Sequence, residues 1–114
     1  MFDIVQTAEI IRACENLLSR RRPPEEMRSK VDLAYRIEKT SVIIHTIRAR
    51  WDGKPEPIIS PVAKTTWIKS RKKWKIFWMR ADLKWHSYKP EEFVNTIDEF
   101  IRIVDKDKFG CFWG

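Results

Sequence analysis

Apolar residues recur at helical spacing over residues 3–20. They lie three or four positions apart and form one stripe: Ile4, Ala8, Ile11, Cys14 and Leu18, widened by Ile10 and Leu17. Asp3 precedes the stripe and Gln6 follows three positions later, which is the spacing of a capping box. Pro23 and Pro24 cannot continue a helix. The pattern therefore predicts a helix over residues 3–20.

Strict alternation of apolar and polar residues over residues 31–37 predicts a half-buried strand. A polar turn at residues 38–41 leads into a second strand over residues 42–50, which is β-branched at its start. If Ile37 pairs opposite Val42, alternation divides the second strand between two faces. The core face then holds Val42, Ile44 and Thr46, and the other face holds Ile43, His45 and Ile47. This other face is too apolar to be fully solvated, so we expect something to cover it.

Two further strands are predicted over residues 62–69 and 74–80, with a turn at residues 70–73 between them. Both faces of the fourth strand are largely apolar. This favours a position in the centre of the sheet or under a helix.

Helical spacing returns near the end of the chain. Pro90 and the two acids after it suit a helix start, which predicts a helix over about 90–105. A later start is the alternative, because Thr96 and Glu99 have the spacing of a capping box. Residues 109–114 are strongly apolar, and we expect them to pack back on the domain or on a second subunit.

These elements together predict a single α+β domain over residues 1–114. Its four-stranded antiparallel sheet is flanked by an N-terminal and a C-terminal helix, which cover one face of the sheet. A chain of 114 residues is long enough to bury one hydrophobic core without staples.

The positive charge of the chain is concentrated in residues 61–89. This segment carries nine basic residues and one acid, a net charge of +8, whereas the rest of the chain carries −1 and the total is +7. It also contains four of the six tryptophans. Basic side chains at a hairpin tip can reach phosphates, and exposed tryptophans can stack on bases. We therefore expect nucleic-acid contacts from Arg71, Lys72, Lys73 and Lys75.

The tryptophans also have a structural interpretation. Trp67, Trp74 and Trp78 could form the core, with the lysines solvating and protecting strand edges. Trp74 and Trp78 flank Ile76 on one face of the fourth strand, so the core interpretation is favoured for these two.

A second candidate is a polar site at Arg80, Asp82, Lys84 and His86. These ionisable residues alternate with apolar ones, so an extended chain would place all four on one face. Asp82 could then orient the imidazole of His86, and the two cations could hold an anion. The alternative is a solvated ladder of weak ion pairs. If the stretch is instead a helical turn, Asp82 and His86 still meet.

Other kinds of chemistry lack the residues that they need. The strands and turns offer only Asp32, Glu38 and Asp82 as acids, too dispersed to hold the magnesium of a nuclease. The three glycines form no phosphate loop. Cys14, Cys111 and the histidines are scattered, so we expect no metal, no cofactor and no disulfide. The chain shows neither a long uncharged run nor a signal sequence, so we expect a cytoplasmic protein that is not associated with a membrane.

Four stretches of the chain carry a resemblance to a known family: Arg21–Pro24, Pro61–Lys64, the tryptophan-rich Trp74–His86 and the closing Phe109–Gly114. Together they resemble a bacterial family known as domain of unknown function 3024, and the resemblance covers most of the chain. That family has no assigned activity. The resemblance therefore implies only a small, stand-alone prokaryotic protein.

These features favour a non-catalytic binding module for an anionic partner, with nucleic acid as the preferred partner. Two alternatives stay open. A homodimeric protein-interaction domain would bury the apolar second face and the tail between subunits. A small enzyme would use Asp82 and His86.

Overall fold

The chain folds into two α-helices and a six-stranded antiparallel sheet. The computed structural model describes residues 1–113. Helix α1 spans Ile4–Arg21 and helix α2 spans Ile97–Lys106. The strands are β1 Val31–Glu38, β2 Ser41–Arg48, β3 Ile58–Ile68, β4 Lys73–Met79, β5 Trp85–Ser87 and β6 Phe93–Val94. The predicted α+β class with two helices is confirmed, but the predicted count of four strands is wrong.

The two unexpected strands both pair with β4, on the edge that faces away from β3. Strands β1 to β4 lie side by side in chain order, β5 pairs with Phe77–Met79, and β6 pairs with Trp74 and Lys75. Strand β5 has three residues and β6 has two. Segments this short contain too little alternation to be recognised as strands.

Helix α2 begins seven residues later than Pro90. The side chain of Thr96 accepts a hydrogen bond of 3.2 Å from the backbone N–H of Glu99, so Thr96 caps the helix and the later of the two starts is the one that forms. Pro90 and its acids instead precede β6. At the other end of the chain Asp3 caps α1, as predicted, by accepting from the N–H of Gln6 at 2.7 Å.

Both helices pack on one face of the sheet, which we call the inner face. Ile37 pairs opposite Val42, as predicted, and this places Val42 and Ile44 on the inner face. The core joins buried residues of both helices to inner-face residues of the sheet: Ile10, Leu17, Phe100, Val104, Leu33, Val42, Ile44, Trp74 and Ile76. Thr65 is also wholly buried there, and its hydroxyl donates to the carbonyl of Lys75 at 2.9 Å.

The pairing of β2 with β3 contains a register shift. Ile44 pairs with Ala63 but His45 pairs with Pro61, so Val62 is the extra residue. Residues 58–62 of β3 pair only with β2, because the pairing with β4 begins at Ala63. Pro61 therefore lies at a local edge of the sheet. Because no strand pairs on that side, the absence of an N–H group on Pro61 costs no hydrogen bond between strands.

The apolar tail packs back on its own chain. Phe112 is buried, with its ring centroid 5.1 Å from that of Tyr88. The indole N–H of Trp113 donates to the carbonyl of Val104 at 2.8 Å, and the Asp107 carboxylate accepts the backbone N–H groups of Phe112 and Trp113. The last position of the predicted tail, Gly114, lies outside the described residues. No helix within residues 1–113 is long and apolar enough to cross a membrane.

Candidate functional site

The second face of the sheet, which we call the outer face, is apolar at its centre. Ile43 and His45 on β2 are only 5% and 7% exposed, yet neither belongs to the core cluster that contains the helices. Their neighbours on this face include Ile47 and the Lys64 side chain. The prediction that Ile43, His45 and Ile47 avoid full solvation is confirmed. The helices do not provide this cover, since their buried residues pack on the inner face.

Three aromatic rings and three cations alternate across the outer face. The Lys64 Nζ lies 5.0 Å from the ring centroid of Phe77 and 5.4 Å from that of Trp85. The Lys75 Nζ lies 5.3 Å from Phe77 and 5.9 Å from Phe93. The Arg71 guanidinium lies 4.8 Å from Phe93. We call this series the outer-face ladder, in the order Arg71, Phe93, Lys75, Phe77, Lys64 and Trp85.

Strand register positions these groups. Lys75 and Phe77 occupy alternate positions of β4, so they point away from the helices while Trp74 and Ile76 point into the core. Across the strands, Lys64 pairs with Phe77 and Phe93 pairs with Lys75. Trp85 pairs with Met79, the next outer position of β4.

The outer face has a surplus of positive charge. The strand residues Asp32 and Glu38 each form an ion pair with an arginine, Arg22 and Arg36 respectively. These contacts lower the pKa of both carboxyl groups, that of Asp32 to about 2. Among the described residues none of the three ladder cations forms an ion pair, so their charge is available to a ligand.

The residues predicted to contact nucleic acid lie at one end of the ladder. Arg71 and Lys75 belong to the ladder itself. Lys72 is an exposed residue of the β3–β4 turn and adopts a left-handed conformation with φ of 51°. Lys73 is exposed at the first position of β4, opposite Ile68. The structure thus brings the four predicted side chains to one hairpin.

The contacts predicted from the sequence include two members of the ladder, Arg71 and Lys75, and omit the other four, among them Lys64 and Phe93. Phe93 falls within the predicted helix over about 90–105, whereas the structure places it in strand β6. Lys64 follows two apolar residues of β3, and alternation alone could have put it on the outer face. The three tryptophans that were expected in the core do contact it. Trp74 is buried, and Trp67 and Trp78 are half-buried against the core.

The predicted extended face at Arg80, Asp82, Lys84 and His86 is not formed, because residues 80–84 turn. The N–H of Leu83 donates to the carbonyl of Arg80 at 2.9 Å, and Leu83 itself has a φ of 61°. One oxygen of Asp82 accepts the N–H of Lys84 at 3.0 Å. The other lies 2.8 Å from Nε2 of His86, so this pair does meet. The pKa of Asp82 is lowered, and the hydrogen bond from His86 is the largest cause.

A recess of about 430 Å³ adjoins this turn. Its lining includes the cationic Arg80 and Lys89, the imidazole of His86, and the aromatic walls Trp78 and Trp85. Cys111 also lines it, but burial raises the pKa of that thiol, opposite to the shift that activates a nucleophile. Within residues 1–113 no group of three or more metal-ligating side chains is present.

The geometry defines a class of protein: a small α+β fold with one sheet face packed on helices and the other lined by rings and cations. The chain matches the family described as Domain of unknown function (DUF3024) over residues 2–114, and therefore belongs to it. No curated protein and no solved structure matches the chain.

Proposed function

We propose that the outer-face ladder binds single-stranded nucleic acid, with bases on its rings and phosphates on its cations. The observation that carries the proposal is the alternation of three rings with three cations on a face that no helix packs against within residues 1–113. Rings on an antiparallel sheet are a common platform for unstacked bases. A duplex keeps its base faces hidden, so the rings favour a single strand.

The spacing of the rings supports this proposal. Phe93 lies beside Lys75 and Trp85 beside Met79, four positions further along β4. At roughly 3.3 Å per residue this separates the two rings by about 13 Å, with Phe77 between them. The ladder therefore offers three stacking positions in a row, rather than one isolated ring.

Replacement of a cation by a nucleic-acid base on a ladder ring is energetically favourable. An exposed cation over a ring contributes roughly 0.5–1 kcal/mol, whereas a stacked base contributes about 1–3 kcal/mol. A base that takes the place of a lysine on Phe77 also frees that lysine for a phosphate. The ladder cations thus mask the rings in the free protein and neutralise the strand in the complex.

The test measures the affinity of the full chain for a labelled single strand by fluorescence anisotropy over a range of salt concentrations. The double variant Lys64→Gln/Lys75→Gln should flatten the plot of log affinity against log salt by roughly 0.7 for each phosphate that the variant no longer neutralises. The matched control Arg102→Gln/Lys106→Gln removes two exposed charges from α2, which packs on the inner face. It should keep the parental slope.

The rings are tested separately from the charge. Phe77→Leu and Phe93→Leu keep an apolar side chain but remove the ring, so each should weaken binding by about tenfold. Phe109→Leu, on the exposed tail, is the control and should bind like the parent. Parental affinity in both ladder variants, or no binding of the parent at low salt, would contradict the proposal.

A further inference from the structure

The turn at residues 80–84 fixes the ring of His86 against the recess beside it. Asp82 uses one carboxylate oxygen to hold the turn and the other to hold Nε2 of His86 at 2.8 Å. Because the carboxylate accepts, Nε2 carries a proton and Nδ1 is the nitrogen that remains for a ligand. Nδ1 accepts a hydrogen bond, such as one from the P–OH of a monoester, in the neutral ring, and it donates to a phosphate oxygen in the protonated ring. Among the hydrogen bonds of residues 1–113, Nδ1 of His86 has none.

The recess collects positive charge without an acid in its lining. The Arg80 guanidinium lies 5.4 Å from the ring centroid of Trp78, which positions it, and no ion pair neutralises it among the described residues. Lys89 contributes a second cation, shared with Glu92 at 3.0 Å. The Ser87 hydroxyl adds a neutral donor to the same lining. An anion with several oxygens could therefore take donors from more than one wall.

The recess lies at the end of the outer-face ladder. Trp85 is the last ring of the ladder, and it also forms a wall of the recess. His86 pairs with the inner-face residue Trp78, and Arg80 lies over the same ring. A strand that follows the ladder past Trp85 therefore reaches Arg80 and His86 by passing around the β5 edge of the sheet.

We propose that this recess binds a phosphate monoester, which on a bound strand is the phosphorylated end. The inference rests on the proposed function for the strand that it receives. A monoester carries about −1.5 to −2 charges and three terminal oxygens, so it matches a cationic recess better than the diester of the strand interior. The volume of about 430 Å³ lies within the range of small-ligand pockets, so it can hold a terminal nucleotide.

The test compares internally labelled oligonucleotides that end in a 5′-phosphate, in a 3′-phosphate or only in hydroxyls, by anisotropy with the full chain. One phosphorylated form should bind about tenfold more tightly than the hydroxyl form. Arg80→Gln and His86→Gln should each lose this preference and keep the affinity for the hydroxyl form. The control Lys84→Gln removes a charge from the same turn but not from the recess lining, and should keep the preference. Equal affinities for all three oligonucleotides, or the same loss in Lys84→Gln, would overturn the inference.

A thermal-shift measurement separates the two sources of a monoester. If a nucleoside monophosphate stabilises the chain and the nucleoside does not, the result supports phosphate binding in the recess. If no oligonucleotide binds in that case, the proposed function fails while the recess inference stands. If the Lys64→Gln/Lys75→Gln variant weakens oligonucleotide binding while neither phosphorylated ends nor monophosphates are preferred, the recess inference fails and the ladder stands.

Discussion

At the scale of single residues, the ladder depends on which side chains the strand register brings together. Arg71 and Lys75 could be predicted, since a basic hairpin tip is visible in the sequence. The contacts of Lys64 and Phe93 could not, because they join β3 and β6 to β4 and a sequence does not state which strands pair. A shift of one residue would turn Phe77 into the core and Trp74 out of it.

His45 is the residue of the outer face with an unmet hydrogen bond. Its Nδ1 is buried without a partner among the described residues, and a buried unpaired polar atom costs roughly 1–3 kcal/mol. Burial, and then the charge of Arg36, lower the pKa of His45 below its ordinary value of 6.5. The folded chain therefore resists protonation of this ring.

We predict that His45→Leu raises the free energy of unfolding and removes part of its pH dependence. With a lowered pKa in the folded state, the unfolded chain binds the proton first. The parent should therefore lose stability as the pH falls below about 6.5, and His45→Leu should lose less. Urea unfolding followed by tryptophan fluorescence at pH 7.5 and 5.5 measures both effects. His86→Gln, the control at the other histidine, should keep the pH dependence due to His45. Parallel pH profiles of the parent and His45→Leu would contradict this explanation.

At the scale of elements, length decides what a sequence can predict. Helix α1 and strands β1 to β4 each contain several periods of their pattern, and their positions were predicted to within a few residues. Strands β5 and β6 and the turn at residues 80–84 were not. The turn alternates like a strand in sequence, but hydrogen bonds at Asp82 and the left-handed Leu83 bend it. Local side-chain contacts thus override a short alternating pattern.

The three arginines at the end of α1 join elements together. Arg20 and Arg21 both donate to the Asp105 carboxylate on α2. Arg22 makes a bidentate contact with Asp32 on β1, with both N–O distances at 2.8 Å. These side chains are engaged by carboxylates within the fold, which favours a structural role for the three arginines.

We predict that Asp32→Asn destabilises the fold by about 1–2 kcal/mol at neutral pH, since it breaks a bidentate contact at a carboxylate that is 17% exposed. The pKa of Asp32 is lowered from 3.8 to about 2, so its contribution is present above about pH 4 and is lost as the pH falls towards 2. The stability gap between parent and variant should close over that range. Thermal unfolding at pH 7, 4 and 2.5 measures it.

The control for this prediction is Asp52→Asn. Asp52 contacts Arg50 two residues away and joins no separate elements, so the variant should unfold like the parent. A stability gap for Asp32→Asn that is as large at pH 2.5 as at pH 7 would show that the loss arises from something other than the charge of the carboxylate.

At the scale of the whole molecule, the two sheet faces have different roles in packing. The inner face, both helices and the buried tail residue Phe112 form one core. The tail therefore covers its own domain, which leaves the outer face as the main support for the homodimer alternative. On that face Ile59, which pairs opposite Ile47, is 53% exposed. A second subunit seated there would compete with a nucleic-acid strand.

We predict that the chain is a monomer at every concentration tested by light scattering, because the proposed function needs an accessible outer face. Ile59→Lys discriminates between the proposals. If a nucleic-acid strand binds this face, the variant stays monomeric. The added cation then lets the variant bind the nucleic acid at least as tightly as the parent does. If two subunits bury this face, the parent is a dimer, and two lysines brought into an apolar contact drive it apart. A parental dimer that Ile59→Lys converts to monomer would contradict the predicted monomer and favour the homodimer alternative.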